Sequence, residues 1–493
     1  MNGGAASAFA AGTAAPAVVI AAPASGSGKT TLATGLIGAL GRVGYRVAPF
    51  KVGPDYIDPG YHGLAAGRPG RNLDPVLVGA DRVAPLYRHG STGCDLAVVE
   101  GVMGLFDGRI DDDDVRPVAE GSTAQVASLL GAPVVLVVDA RGHSQSLAAL
   151  LHGFATFDSG VRLGGVILNR VGSERHEQVL RAACARVGLP VLGALPRMAE
   201  LEVPSRHLGL IPAVEHGSAA TTAVAAMTDL VAAHVDLAAV AALARGTVRG
   251  PAWNPVDETA QASASEAARF GGYGCSDGAG GFGDDGPLVA MAGGPAFTFG
   301  YAEHRELLAA AGARVTVFDP LRDELPTGTA GLVLPGGFPE EHAAALAANM
   351  PLLEQVRGQA AAGLPIHAEC AGLLYLTRSL DGHALAGVVD ADAEFGPRLT
   401  LGYRDAVALA DSPLWRAGER VRGHEFHRTR LVRADTSRPA WGWRDPAGAA
   451  IREGQLTQRV HASYLHTHPA GNPAATARFV AAAADHATAR TAR

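Results

Sequence analysis

Short, fully apolar runs that alternate with longer helical stretches constrain the fold of this chain more than any other feature. The strand-like runs of the first half are VVIAA, RVAPF, DLAVVEG, PVVLVVDA and LGGVILN, and stretches rich in alanine and leucine, such as TTLATGLIGALGRVG, separate them. A strand that is apolar on both faces is typical of a parallel sheet that helices cover on both sides. The sequence therefore predicts an α/β fold with a doubly wound parallel sheet in the N-terminal half.

A second series of strands and helices begins near residue 287, with PLVAMAG, RVTVFDP, GLVLPGG and LPIHAEC as its strand-like runs. Because a chain of 493 residues exceeds the size of one hydrophobic core, we expect two α/β domains, at 17–245 and 287–485. The intervening segment, 246–286, is rich in Gly, Ser, Ala and Asp and has no hydrophobic period. We therefore expect a flexible linker that is poorly ordered from residue 250 onward.

The composition argues against several classes of function. The formal net charge is −7 and the Lys and Arg residues are scattered, so we expect no nucleic-acid partner. No apolar run reaches the roughly 20 residues that cross a bilayer, so we expect no membrane partner. The four cysteines form no CxxC pair, which fits a reducing, cytoplasmic location.

The segment PASGSGKTT, between the first strand and the first helix, ends in the GK[ST] pattern of a phosphate-binding loop. Backbone N–H groups of such a loop and of the following helix form a cradle for phosphate. Lys29 is expected to face the β- and γ-phosphates of ATP, and Thr30 is expected to offer its hydroxyl to Mg²⁺. Pro23 stands where the usual pattern has its first glycine. The predicted nucleotide contacts in this loop come from Gly26, Gly28, Lys29, Thr30 and Thr31.

Charged side chains follow two later strands of the same domain. RVAPFKVGPDYIDPGYH places Lys51, Asp55 and Asp58 after one strand, and DLAVVEGVMGLFDG places Glu100 and Asp107 at the end of another. Ligands collect at the carboxyl ends of parallel strands, and carboxylates there suit Mg²⁺. Each acid alone has a plain alternative as a solvated or loop-capping carboxylate.

The candidate nucleophile of the second domain lies in LPIHAECAGLLYL. Cys370 stands at a tight turn between an apolar strand and a helix, which exposes a nucleophile above the sheet and favours its thiolate. Later in the chain, RVHASYLHTHP brings together His461, His466 and His468. A Cys–His pair is the minimal set for thiol-based acyl transfer, and the alternative for the three histidines is a metal site.

A glycine pair in VLPGGFPEEH precedes this cysteine. The backbone N–H groups of Gly337 and Ala371 are expected to face the oxyanion that develops during acyl transfer. The later segment GHEFHRT contains His424 and Glu425, for which we expect an interface or a substrate contact.

Taken together, these segments resemble a known family. PASGSGKTT, FKVGPDYIDP and VVEGVMGLFDG are similar to three motifs of the cobyrinate and hydrogenobyrinate a,c-diamide synthases, whose ATP domain is similar to dethiobiotin synthetase. The second half resembles the class I glutamine amidotransferases of the corrinoid-amidating type. The resemblance implies amidation of the a and c carboxylates of hydrogenobyrinate or cobyrinate, with ATP and L-glutamine, through acyl phosphates, in cobalamin biosynthesis.

The resemblance also implies roles for residues of the first domain. Asp55, Glu100 and Asp107 would serve Mg²⁺ and ATP. Asn169, in GVILNRVGSERH, stands where related ATPases touch the adenine base, and its alternative is to cap the next helix. The residues implied to lie toward the corrinoid are Lys51, Tyr56, Ile57 and Asp58.

In the second domain the resemblance selects the catalytic base. Its Tyr-x-His pattern matches Tyr464-Leu465-His466, which makes His466 the base. In the wider class a glutamate usually stands two residues after this histidine, and here that position is His468. The third member of the Cys–His centre is therefore left open, and His461 and His468 are expected to shape the site.

Three other functions compete with this interpretation. A cobyric acid synthase and a nickel-sirohydrochlorin a,c-diamide synthase amidate related rings, whereas a partitioning-type ATPase would bind DNA or a membrane. The GPDYIDP and VHASYLH segments differ from the first of these, and the glutaminase-like domain argues against the last. The sequence leaves open the presence of cobalt in the ring, the order of the two amidations, and whether the protein is a homodimer.

Overall fold

The chain was analysed as a computed structural model that describes residues 14–110, 116–158, 160–197, 205–206, 209–270, 286–435 and 437–491. It forms two compact units, of which the first ends at Trp253 and the second begins at Asn254. Both units combine helices with parallel strands, which confirms the predicted α/β class. No helix in these ranges is long and apolar enough to cross a membrane.

The first unit is built from alternating strands and helices. Its strands are β1 (Ala17–Ala21), β2 (Val47–Val52), β3 (Arg71–Leu73), β4 (Leu96–Glu100), β5 (Val134–Asp139), β6 (Leu163–Val171), β7 (Val191–Pro196), β8 (Ser205–Arg206) and β9 (Gly209–Leu210). Its helices are α1 (Lys29–Arg42), α2 (Asp58–Ala66), α3 (Pro75–Val78), α4 (Ala80–Gly90), α5 (Thr123–Leu130), α6 (Leu147–Thr156), α7 (Glu174–Arg186), α8 (Ala213–His216), α9 (Ser218–His234) and α10 (Leu237–Leu243).

A parallel sheet forms the centre of this unit. Among the described residues its strand order is β3-β2-β4-β1-β5-β6-β7. β1 is buried along its whole length, as its apolar sequence predicts. Since β1 and β4 are parallel neighbours with Ile20 opposite Glu100, the loop after β1 and the carboxylate at the end of β4 lie at the same edge of the sheet.

Helix α1 packs closely against α9 through glycines. A Cβ atom on Gly35 would collide with the carbonyl oxygen of Met227, and one on Gly38 would collide with the side chain of Thr228. Both glycines have ordinary backbone angles, so the requirement for glycine here is steric. This contact fixes the helix that carries Lys29, Thr30 and Thr31 of the predicted nucleotide site.

The second unit has more strands and fewer helices. Its strands are β10 (Leu288–Ala292), β11 (Arg314–Phe318), β12 (Thr329–Leu334), β13 (Ile366–Glu369), β14 (Ser379–Leu380), β15 (His383–Ala384), β16 (Asp392–Ala408), β17 (Arg420–Val432), β18 (Trp441–Arg444), β19 (Ala450–Glu453), β20 (Gln455–Thr457), β21 (Val460–Ser463) and β22 (His466–Thr467). Its helices are α11 (Pro255–Phe270), α12 (Ala302–Ala310), α13 (Ala343–Ala348), α14 (Met350–Ala361), α15 (Ala371–Leu376) and α16 (Pro473–Thr491), with 3-10 turns at Pro339–His342 and Pro469–Gly471.

Two sheets organise the described part of this unit. The first has the order β11-β10-β12-β13-β21-β20 and is parallel except for β20. The second has the order β15-β14-β16-β17-β22, with β18 and β19 attached beside β16, and its long pair β16–β17 is antiparallel. This second sheet is not among the predicted elements. Much of β16 is exposed or half-buried, so no apolar run marks it in the sequence.

The prediction of a poorly ordered linker is wrong for residues 255–270. These residues form α11, which packs against α12 and α16 of the second unit. The Asn254 side chain accepts a hydrogen bond from the N–H of Val256 at 3.0 Å, Pro255 opens the helix, and alanine has a high helix propensity. The buried face includes small side chains such as Thr259, so it shows no hydrophobic period. Residues 271–285 lie outside the described ranges.

The packing of α1 on α9 yields a stability prediction. Gly35→Ala should destabilise the first unit by about 1–3 kcal/mol, because the added methyl group has to displace the backbone of α9. Gly41→Ala is the matched control in the same helix, since no atom lies within 4 Å of the added Cβ. Urea unfolding followed by circular dichroism measures both variants. Equal unfolding midpoints for the two variants would contradict the packing argument.

Candidate active site

The loop between β1 and α1 has the backbone of a phosphate-binding loop. Gly26 and Gly28 adopt φ angles of 78° and 91°, which side chains other than glycine rarely adopt, and Gly28 immediately precedes α1. Lys29, Thr30 and Thr31 then form the first turn of the helix. The free N–H groups of that turn and the loop backbone together provide donors for phosphate oxygens.

Lys29 is a buried cation in this loop. Its Nζ donates hydrogen bonds to the carbonyl oxygens of Met103 at 2.5 Å and Ala24 at 3.5 Å. Burial, followed by repulsion from Lys51, lowers the pKa of Lys29 to about 8, although nearby carboxylates partly oppose this effect. An anion placed beside Lys29 would stabilise its charged form, so the loop favours a ligand with phosphate groups.

Four predicted side chains meet at the end of β4. Lys51 Nζ lies 2.6 Å from Asp58 Oδ2 and 2.9 Å from Glu100 Oε1. Thr30 Oγ1 lies 2.7 Å from the same oxygen of Glu100 and 3.1 Å from Asp58 Oδ2. Burial opposes the ionisation of Glu100, but Lys51 and His62 together outweigh it and keep the pKa of Glu100 well below its ordinary value. Burial likewise opposes the charge of Lys51, and the neighbouring carboxylates together outweigh it. Burial, followed by repulsion from Asp55, raises the pKa of Asp58 to about 7, so Lys51 and Glu100 are the members that hold their charges when buried.

His62 is a further member of this cluster that is not among the residues predicted from the sequence. This histidine is fully buried on α2, and its Nε2 lies 2.7 Å from Glu100 Oε2. It stands four residues after Asp58 and therefore on the same face of the helix. That spacing is the signal in the sequence that could have revealed it.

The segment between Lys51 and Asp58 is held by a turn. Asp55 Oδ1 accepts hydrogen bonds from the N–H groups of Ile57 at 2.8 Å and Asp58 at 2.9 Å, and Asp55 Oδ2 lies 3.8 Å from Lys51 Nζ. Tyr56 is half-buried and Ile57 is buried. Asp55 thus orders the start of α2 at the border of the charged cluster. These hydrogen bonds agree with the alternative interpretation of Asp55 as a loop-capping carboxylate.

Asp107 also makes a local contact. Its Oδ2 accepts a hydrogen bond from the N–H of Gly104 at 2.9 Å. The neighbouring Leu105 N–H donates to the carbonyl oxygen of Ala22 at 2.9 Å, so this loop runs along the phosphate-binding loop. Asp107 contributes to the electrostatic field at Lys29, while its direct bond stabilises its own turn.

Asn169 supports the phosphate-binding loop from β6. Its Nδ2 donates to the carbonyl oxygen of Ser27 at 2.9 Å, and a Cβ on Gly28 would collide with this amide. The cap of the next helix, α7, is Ser173, whose hydroxyl accepts from the N–H of His176. The alternative that Asn169 caps α7 is therefore wrong.

The predicted nucleophile of the second unit has an unusual backbone. Cys370 connects β13 to α15 with φ 49° and ψ −97°, and its side chain is buried. The N–H groups of Gly337 and Ala371 hydrogen-bond to its sulfur. A substrate carbonyl bonded to this sulfur would place its oxygen near the same two donors, which is the arrangement expected of an oxyanion site.

The environment of Cys370 favours the thiol. Burial, followed by repulsion from Glu340, raises the pKa of the thiol above its ordinary value, and the N–H groups of Gly337 and Ala371 only partly oppose this. The expectation that the following helix favours the thiolate is therefore wrong for this structure, because α15 is only six residues long and burial outweighs it. The thiol needs a base.

His466 lies on β22, which follows the strand that neighbours β13. β13 and β21 are parallel neighbours with Glu369 opposite Ser463, so Cys370 and His466 follow strands that end at the same edge. His466 is buried, and this burial lowers its pKa to about 4. A neutral imidazole at neutral pH can accept the proton of a thiol.

The other two histidines of the RVHASYLHTHP segment have different surroundings. His461, on β21, meets the Trp441 ring edge-on at 5.2 Å. His468 packs against Tyr301 at 4.1 Å and its Nδ1 accepts from the N–H of Ala470 at 3.2 Å. In the described ranges no group of three or more His, Cys, Asp or Glu side chains has the geometry of a metal site.

The GHEFH segment forms part of β17 and reaches the thiol centre. His424 is opposite His466 in the β17–β22 pair, and the carbonyl oxygen of Phe426 lies 4.0 Å from Cys370 Sγ. Glu425 forms a buried ion pair with Arg404 at 2.6 Å. These contacts place the motif beside the nucleophile. Arg404 belongs to a strand that no apolar run predicts.

Comparisons with known proteins identify a known domain family in each half of the chain. Residues 18–211 match the family model described as the CobQ/CobB/MinD/ParA nucleotide binding domain. Residues 289–474 match the model described as the CobB/CobQ-like glutamine amidotransferase domain. The first match contains the phosphate-binding loop and its charged cluster, and the second contains Cys370 and His466.

Full-length relatives extend the similarity to nearly the whole chain. Proteins named hydrogenobyrinate a,c-diamide synthase from Mycobacterium bovis and Streptomyces coelicolor are 60% and 55% identical to it, and each alignment covers 95% of this chain and 98% of the relative. A protein named cobyrinate a,c-diamide synthase from Gloeobacter violaceus is 40% identical over 94% of this chain and 96% of the relative. The chain belongs to the hydrogenobyrinate and cobyrinate a,c-diamide synthase family.

Proposed function

We propose that this protein amidates the a and c carboxylates of hydrogenobyrinate, using ATP and L-glutamine, in cobalamin biosynthesis. One observation carries the proposal: a single chain holds a phosphate-binding loop with a buried cation, Lys29, and a nucleophile, Cys370, with two N–H groups at its sulfur. The ring substrate follows the names of the relatives that are 60% and 55% identical. We place the reaction in the cytoplasm, where ATP and glutamine are available.

The thiol centre would release ammonia from glutamine. His466 accepts the proton of the Cys370 thiol, and the thiolate attacks the side-chain carbonyl carbon of glutamine. The resulting oxyanion is stabilised by the N–H groups of Gly337 and Ala371. The C–N bond then breaks as His466 returns the proton to the leaving nitrogen. Water, deprotonated by His466, hydrolyses the thioester and gives glutamate and the free thiol.

The nucleotide centre would activate the ring carboxylate. A carboxylate oxygen attacks the γ-phosphorus of ATP, the bond to the bridging oxygen breaks, and ADP leaves an acyl phosphate behind. Lys29 and the N–H groups at the start of α1 hold the phosphates during this transfer. Ammonia then attacks the acyl carbon and phosphate leaves. Each amide therefore consumes one ATP, one glutamine and one water.

The oxygen donors near the phosphate-binding loop fit Mg²⁺. The carboxylates of Asp58 and Glu100 both lie within 3.1 Å of the Thr30 hydroxyl, and hard oxygen donors suit this ion. We propose that Thr30 and Glu100 hold it. When bound, Mg²⁺ would neutralise part of the negative charge on the phosphates. Asp55 and Asp107 shape the adjoining loops in this proposal.

The corrinoid would lie near the turn before α2. Tyr56 and Ile57 border the charged cluster, and Lys51 and Asp58 belong to it. Asn169 acts on the nucleotide by holding the loop at Ser27, and contact with the adenine base remains a prediction.

The choice of ring substrate is testable directly. We expect a higher kcat/KM for hydrogenobyrinate than for cobyrinate, each assayed with ATP, Mg²⁺ and glutamine and followed by chromatography of the diamide. A preference for cobyrinate would identify the metal-containing ring as the substrate. The absence of product from both rings would contradict the proposed function.

Because the two chemistries lie at separate centres, a variant of each centre should respond differently when ammonium replaces glutamine. Cys370→Ser should lose glutamine-dependent amidation, because a serine hydroxyl is a much weaker nucleophile than a thiolate. Ammonium at mildly alkaline pH should restore diamide formation in this variant, since the nucleotide centre is intact. Lys29→Ala should fail with either nitrogen donor, because the γ-phosphate is no longer held.

Both variants are assayed with each nitrogen donor, and circular dichroism checks that they fold. Failure of ammonium to rescue folded Cys370→Ser, or full activity of Lys29→Ala, would contradict the assignment of two separate chemistries to the two centres.

A further inference from the structure

The position that usually supplies the third member of a Cys–His centre holds no carboxylate here. His468 stands two residues after His466, packs against Tyr301 and accepts from the N–H of Ala470 within its own turn. If a third side chain orients the imidazole of His466, it therefore has to come from another position in the chain. The carboxylate that acts most strongly on His466 belongs to Glu369, the residue directly before the nucleophile.

Glu369 is hydrogen-bonded to the strand that carries His466. Its Oε1 accepts hydrogen bonds from the N–H of Thr467 at 3.0 Å and from the Thr467 hydroxyl at 2.8 Å. Its Oε2 lies 4.0 Å from His466 Nδ1. Thr467 and His466 are the two residues of β22, so one carboxylate bonds to this strand and faces the imidazole.

The charge of Glu369 suits this role. Burial alone would raise its pKa, but the nearby His367, with Nε2 3.2 Å from Oε1, together with His466 and Thr467, outweighs burial and lowers the pKa to about 2. Glu369 is therefore a carboxylate at neutral pH. A carboxylate facing Nδ1 favours the tautomer with a proton on Nδ1, in which Nε2 is unprotonated and can accept the thiol proton.

The space around the imidazole restricts its movement. A Cβ on Gly336 would collide with Cε1 of His466, so the ring fills the room beside the glycine pair. The distance of 4.0 Å to Glu369 is longer than a hydrogen bond, and catalytic hydrogen bonds are often long before substrate binds. The other titratable groups that act on His466 are Glu425, His424 and His427, and Glu425 is already paired with Arg404.

We propose that Glu369 is the positioning residue of His466, so that the third member of the thiol centre comes from the strand of the nucleophile and not from the segment after the histidine. This inference rests on the proposed glutaminase reaction. Glu369 acts through His466: it fixes the tautomer and orientation of the ring and stabilises the imidazolium that forms when the thiol loses its proton.

The test compares Glu369→Gln and Glu369→Asp with a control, Glu354→Gln, which replaces an exposed glutamate on α14. Glutamine hydrolysis gives kcat and KM, and ammonium-dependent amidation reports on the nucleotide centre. We expect Glu369→Gln to lower kcat by about 100-fold or more with little change in KM, because the loss affects proton transfer. Glu369→Asp keeps the charge and should retain more activity. The control should match the unmodified protein.

The pH profile separates positioning from a purely structural role. The carboxylate raises the pKa of His466, so its loss should move the acidic limb of kcat/KM toward lower pH, while ammonium-dependent amidation remains. A kcat of Glu369→Gln close to that of the control would overturn the proposal. Loss of ammonium-dependent amidation in both Glu369 variants would mean that Glu369 is needed for folding. That result would also overturn the proposal. If the unmodified protein hydrolyses glutamine without amidating the ring, only the proposed ring reaction fails.

Discussion

Both functional centres depend on one constraint, which is that neighbouring parallel strands bring their carboxyl ends to the same edge of a sheet. In the first unit β1 and β4 are neighbours, so Thr30 at the start of α1 meets Glu100 at the end of β4. In the second unit β13 and β21 are neighbours, so Cys370 and the strand of His466 follow adjacent strand ends. Each pair is distant in sequence and is positioned by the sheet.

The two centres use burial in opposite ways. At the nucleotide centre, Lys51 lies within 2.9 Å of Asp58 and Glu100. Lys51 and Glu100 remain charged, while Lys29 is left with carbonyl oxygens and a pKa of about 8. A phosphate ligand supplies the missing counter-charge. At the thiol centre, burial keeps Cys370 and His466 neutral at rest. Proton transfer between them then creates charge only when a substrate is in place to use it.

The sequence predicts those parts of the sites that follow from strand ends and local motifs. The phosphate-binding loop, the meeting of Lys51, Asp58 and Glu100, and the N–H donors at Cys370 are of this kind. Glu369 was missed because its contacts arise across the fold, such as that with Thr467, 98 residues away. For His62 the one signal in the sequence is its spacing of four residues from Asp58 on α2. The protonation state of Cys370 depends on its burial, which no sequence pattern predicts. Helix α11 buries small side chains without a hydrophobic period, so its packing could not be predicted from a pattern either.

We propose that the ring carboxylate is activated by phosphorylation at the nucleotide centre, independently of glutamine hydrolysis. The most direct measurement uses hydrogenobyrinate with ¹⁸O in its carboxylates, Cys370→Ser protein, ATP and ammonium, with mass spectrometry of the released phosphate. An acyl phosphate predicts that one ¹⁸O atom passes from the ring to phosphate for each amide formed. Diamide formation accompanied by unlabelled phosphate would contradict the account.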